Sequence, residues 1–162
     1  MHAIVSNQAT PQNDIIDISI NGIGKKKIRI NGDDSKILLL NTNDNNVAVR
    51  YTDVYPKLKE LENDFKELGE LKTETEDIDS FTAFANKARD IDTKMRDSLD
   101  YIFNSNVSEV CSDGGSMYDF LDGGVMRWET IVTALIGLYT ETINRNAEQA
   151  AKVKQLTSKY TK

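Results

Sequence analysis

Near residue 41 the spacing of apolar side chains changes from every second position to every third or fourth, and this change decides what kind of fold is open to the chain. Before it, Ile16, Ile18 and Ile20 alternate with Asp17 and Ser19, and Ile28 and Ile30 alternate with Lys27 and Arg29. Lys36-Ile37-Leu38-Leu39-Leu40 forms a third, more apolar run. Asn21-Gly22 and Asn31-Gly32 follow the first two runs, and Asn and Gly both accept the positive φ of tight hairpin turns. The pattern predicts an antiparallel β-meander of three strands over residues 14–41, with an isoleucine-rich face that needs a cover.

After the change, Thr42 or Asp44 can cap a helix. Val47, Tyr51, Val54, Leu58, Leu61, Phe65 and Leu68 then recur in steps of four and three, the stripe of a bundle helix or coiled coil. That stripe packs either against a second helix of the same chain or against another copy, so it is the candidate self-association surface. Pro56 either kinks this helix or opens a new one. Glu62 and Lys66 form a favourable pair off the stripe. Gly69 to Asp79 reads as a break, with Ser80 as the next cap. A second stripe follows at Phe81, Phe84, Ala88, Ile91, Met95, Leu99 and Ile102, supported by Asp90–Lys94 and Asp92–Arg96 on the outer face. The two stripes predict an antiparallel helical pair.

Asn104 to Gly115 reads as a loop. Met117 to Leu121 suggests one short helical turn before Asp122-Gly123-Gly124. The last helix is expected from near Val125, with Trp128, Ile131, Val132, Leu135, Leu138 and Tyr139 on its apolar face. After Ile143 that face thins to alanines and the end turns basic. The expected fold class is therefore α+β: a small N-terminal antiparallel β-meander followed by a mainly α-helical bundle. The parts are a mobile tail (1–13), the meander (14–41), a helical domain (42–145) and a basic helical or frayed C-terminal tail (146–162).

Catalytic patterns fail on inspection. "ISINGIGKKKIRINGDDSK" holds glycines and three lysines, but a phosphate loop needs Gly where Ser19 stands and Ser or Thr where Lys26 stands. A strand pattern follows it, not the helix whose N-terminus would hold the anion. The GxGxxG fingerprint fails at Lys27. The single histidine, His2, lies in the expected tail, so no Ser-His or Cys-His pair is available. One cysteine, Cys111, allows no intramolecular disulfide and argues against a zinc site. Asp113, Asp119 and Asp122 lie near glycines but do not have EF-hand spacing. The expectation is a non-enzyme with no catalytic, cofactor or metal residues. Phe120, Leu121, Trp128 and Tyr139 are the candidate partner-binding residues, Trp128 having core burial as its alternative.

Net charge is −6, which argues against a nucleic-acid partner. Residues 42–104 carry nine basic and fifteen acidic side chains and so hold the whole excess. The apolar run Ile131–Tyr139 is far short of a membrane span. The N-terminus lacks a basic region followed by an apolar run, so no signal peptide and a cytosolic setting are expected.

Two stretches carry a family resemblance. "GKKKIRINGDDSKILLLNTNDNN" runs from Gly24 to Asn46, followed on the helix by Val47, Arg50 and Tyr51; "LDYIFNSNVSEV" runs from Leu99 to Val110. Between about residues 18 and 140 the chain resembles tail assembly chaperones of long-tailed phages and prophages of Gram-positive bacteria. The resemblance implies a protein that coats the aggregation-prone tape measure protein before tail tube subunits polymerise around it. It further implies a longer frameshifted form that recruits tail tube protein, action in the host bacterial cytoplasm, and absence from the mature virion. It transfers no catalytic motif and no binding residue. The apolar stripes add a possible homo-oligomer to the expected partners, and neither nucleic acid nor membrane is among them. The alternative is a structural tail subunit of the virion, which the same β-plus-helix body would serve.

Overall fold

The computed structural model describes residues 14–18, 25–70 and 77–160. Strands β1 (Lys26–Ile30) and β2 (Asp33–Leu40) form a two-stranded antiparallel hairpin. The turn is Asn31-Gly32, with φ of 54° and 70°, the left-handed pair that matches the twist of a tight hairpin. Ile28 lies opposite Leu38 and Lys26 opposite Leu40, and the register shifts between Arg29 and Ile30. Leu38 and Leu40 are buried while Ile37 and Leu39 face outward, so one face of the hairpin covers the helices.

The sheet has two strands among the described residues, not the three expected. Ile15 to Ile18 are in no strand, and Ile16 is 87% exposed. Ile20, Asn21-Gly22, Gly24 and the tail with His2 lie outside the described residues.

Helix α1 (Asn46–Glu70) runs unbroken through Pro56, which therefore does not open a new helix. Of the two candidate caps, Asp44 accepts the Asn46 amide at 2.9 Å, and Thr42 is buried. Helix α2 (Ile78–Phe103) starts earlier than expected: its cap is Asp77, whose carboxylate accepts the Asp79 and Ser80 amides, and Ser80 lies inside the first turn. Arg50 near the start of α1 donates to the Ile102 carbonyl near the end of α2 at 2.8 Å, so the two helices are antiparallel.

Both stripes meet in one core. Val47, Leu58, Leu61 and Leu68 are buried with Ala88, Ile91, Met95, Leu99 and Ile102, and Tyr51, Val54, Phe65 and Phe84 pack against them. The buried members of the first stripe pack within their own chain, while Tyr51, Val54 and Phe65 stay half-buried. Phe81 is exposed. Glu62 departs from expectation: it is buried, held by Lys59 at 3.3 Å as well as by Lys66 at 3.9 Å.

Asn104 ends α2 in the left-handed conformation. The expected loop then contains a short helix, α3 (Val107–Cys111). Asp100 builds it by accepting from the Ser108 amide at 2.8 Å and from the Ser108 hydroxyl at 2.9 Å. Met117 to Leu121 do not form a helical turn; turns and one bridge, Phe120 to Met126, replace it. Helix α4 (Arg127–Tyr160) begins two residues after Val125. It buries Trp128, Ile131, Val132, Leu135 and Tyr139, then continues past Ile143 as a helix whose residues 144–158 are all exposed.

Candidate docking surfaces

The loop between α3 and α4 is shaped by two ion pairs. Asp92 and Arg96 lie one turn apart on α2, joined at 2.8 Å. Arg96 also donates to the Gly115 carbonyl at 2.6 Å, and Asp92 accepts the Met117 amide at 2.7 Å. Arg127 of α4 donates to the Ser116 carbonyl at 3.2 Å and faces Asp119 at 3.7 Å, while Asp119 accepts the Ser116 amide at 2.8 Å. Gly115 fits because a Cβ there would stand 2.6 Å from Asp119 Oδ2 and 2.7 Å from Arg127 Nη2. These contacts pin the loop and leave the tip Phe120–Val125 projecting, with Phe120 53% exposed and Val125 also exposed.

Beside that tip, an open groove of about 420 Å³ runs between β1 and α4. Ile28, Ile30, Leu121, Ile131, Leu135 and Leu138 give it an apolar lining, and Arg29 and Arg127 add two cationic side chains. Three consecutive residues of β1, Ile28 to Ile30, and the turn residue Asn31 line it, and none of β2 does. Successive strand residues point to opposite faces, so the groove meets β1 along its edge. Cys111 sits in the lining; burial pushes its thiol up to about 11, which keeps it protonated and weakly nucleophilic at neutral pH.

The four partner-binding candidates separate here. Phe120 is on the surface and Leu121 lines the groove. Trp128 and Tyr139 are each 1% exposed and belong to the core, where a partner cannot reach them. Their one-sided pattern on α4 reflects packing. Neither the Trp128 Nε1 nor the Tyr139 hydroxyl has a hydrogen-bond partner among the described residues.

No protein-family model, curated protein or solved structure matches this chain.

The acidic residues near the glycines have structural partners. Asp113 pairs with Lys36, which lowers the carboxyl below its ordinary value and raises the lysine above its own. Asp119 holds Ser116 and Arg127. Among the described residues no group of three His, Cys, Asp or Glu side chains is placed to hold a metal ion. Among them, too, no helix is long and apolar enough to cross a membrane.

No local pattern marks the groove, because it joins residues far apart in the chain. The meeting of the two stretches that carry the family resemblance likewise has no local signal. Ser105 donates to the Leu39 carbonyl at 3.2 Å, and Arg50 ties Asp44 to Ile102. The hairpin's second strand thereby lies against the α2–α3 junction.

Proposed function

We propose that this chain is a non-enzymatic phage tail assembly chaperone that binds the tape measure protein and keeps it soluble in the host cytoplasm during tail morphogenesis. The observation that carries this reading is the contact between the two resembling stretches, Gly24–Asn46 and Leu99–Val110, through Ser105 and Leu39. The exposed Phe120–Val125 tip adds surface of the kind that takes up apolar segments of another protein.

Co-expression with the tape measure protein of the same genome tests the proposal. The tape measure is expected to become soluble and to co-purify with this chain. Failure of both would sink the reading. Mass spectrometry of purified virions separates it from a structural subunit: stoichiometric presence in the particle would favour the subunit.

A further inference from the structure

Three features of the described residues lack partners and fit one another. The first is the outer edge of β1: the sheet order is β1-β2, so the backbone N–H and C=O groups on the far side of β1 have no strand beside them. The second is the apolar groove that opens along that same edge. The third is the segment Asp14–Ile18, which is in no strand and holds three exposed isoleucines, Ile15, Ile16 and Ile18.

We infer that the β1 edge and its groove form a strand-addition site for residues Asp14–Ile18 of a second copy of this chain. The faces agree. In β1, Ile28 and Ile30 point toward the core while Lys27 and Arg29 point to solvent. In an added strand, Ile16 and Ile18 share one face and Asp17 takes the other. Setting the two isoleucines beside Ile28 and Ile30 extends the apolar face over the groove. The same placement sets Asp17 on the face of Lys27 and Arg29.

Charge supports the choice of occupant. Lys26 and Lys27 make no ion pair among the described residues, and the segment carries Asp14 and Asp17. A second copy is the occupant because the chain's own segment is exposed and in no strand, so each copy presents both a bare edge and a bare segment. Reciprocal exchange satisfies both at once and closes as a two-fold dimer. This inference is independent of the tape measure reading.

Light scattering on the full chain, joined to cysteine cross-linking in a Cys111→Ser background, tests it. The native chain is expected to have twice the monomer mass, and Ile16→Asp with Ile18→Asp is expected to return it to monomer with unchanged helical circular dichroism. Asp17→Cys combined with Lys27→Cys, or with Arg29→Cys, covers two registers on the solvent face, where substitution leaves the core intact. Oxidation of at least one pair is expected to yield a covalent dimer on a non-reducing gel. A native monomer at high concentration overturns the inference. So does a dimer that survives the double substitution, a cross-link formed within a single chain, or the absence of any cross-link in both pairs.

Discussion

The Asp92 carboxylate accepts the backbone amide of Met117 at 2.7 Å, from a position 25 residues earlier in the chain. Its other oxygen holds Arg96, which reaches the Gly115 carbonyl. One acid on α2 thereby anchors the loop that leads into α4 and frames the groove.

Asp92→Ala is expected to destabilise the fold by about 2 kcal/mol, because it strands Arg96 and a part-buried amide together. A loss of that size corresponds to a fall in Tm of about 4–8 °C for a chain of this length. Thermal unfolding followed by circular dichroism measures it. Asp90→Ala, whose pair with Lys94 is solvent-exposed, is the control expected to change little.

The two helix-and-loop glycines in α4 and its preceding loop should respond oppositely. Gly115→Ala drives a methyl group into Asp119 and Arg127, and a cost of about 1–3 kcal/mol is expected. Gly137→Ala meets open space on an exposed helical position and is expected to stabilise by about 1 kcal/mol. Denaturant titrations of both variants decide this; a stabilised Gly115 variant would contradict the loop geometry.

Alkaline pH should weaken the fold. Burial holds the Tyr139 hydroxyl up to about 12 from 10.0 and the Cys111 thiol up to about 11 from 9.0. Both groups are neutral when protonated, so the unfolded chain loses these protons first as pH rises. The stabilisation is complete below pH 9 and is lost progressively toward pH 12. For Tyr139 the displacement corresponds to roughly 3 kcal/mol. Unfolding measured from pH 8 to 11.5 should show the decline, and Tyr139→Phe with Cys111→Ser should make it shallower, the raised tyrosines Tyr51 and Tyr101 and the paired lysines keeping the rest. At neutral pH Tyr139→Phe is expected to be neutral or stabilising by up to about 1 kcal/mol, since the hydroxyl has no protein partner among the described residues.

Truncation after Asn146 removes only exposed helix among the described residues, including Val153 and Leu156. Tm is expected to stay within about 2 °C of the full chain, because no buried apolar area is lost. Loss of tape measure binding in the same variant would assign that extension to docking.

The periodicities alone located most of the architecture. The stripe from Val47 to Leu68, its partner from Phe84 to Ile102 and the face from Trp128 to Tyr139 appear as core-facing helix sides because burial of one face imposes a repeat that adjacent residues reveal. The Asn31-Gly32 turn was equally legible, since its chemistry is local. Other features were not. Ile16 and Ile18 carry the alternation of a strand, yet pairing needs a neighbour, and the pattern does not say whether one is present. Asp77 displaced Ser80 as cap because both are good caps and only the chain path chose between them. Trp128 and Tyr139 read as possible contact residues because their side chains suit an interface as well as a core.

By itself, then, the sequence determined the order of the hairpin and the three long helices, the hairpin turn and which side of each long helix would be apolar, all of which depend on residues a few positions apart. Only the tertiary structure decided that the first stripe meets the second within one chain, that Trp128 is buried while Phe120 is not, and that β1 keeps an open edge beside α4. Those outcomes depend on which surfaces come together across tens of residues, where burial and charge pairing act between segments whose separation no local pattern encodes.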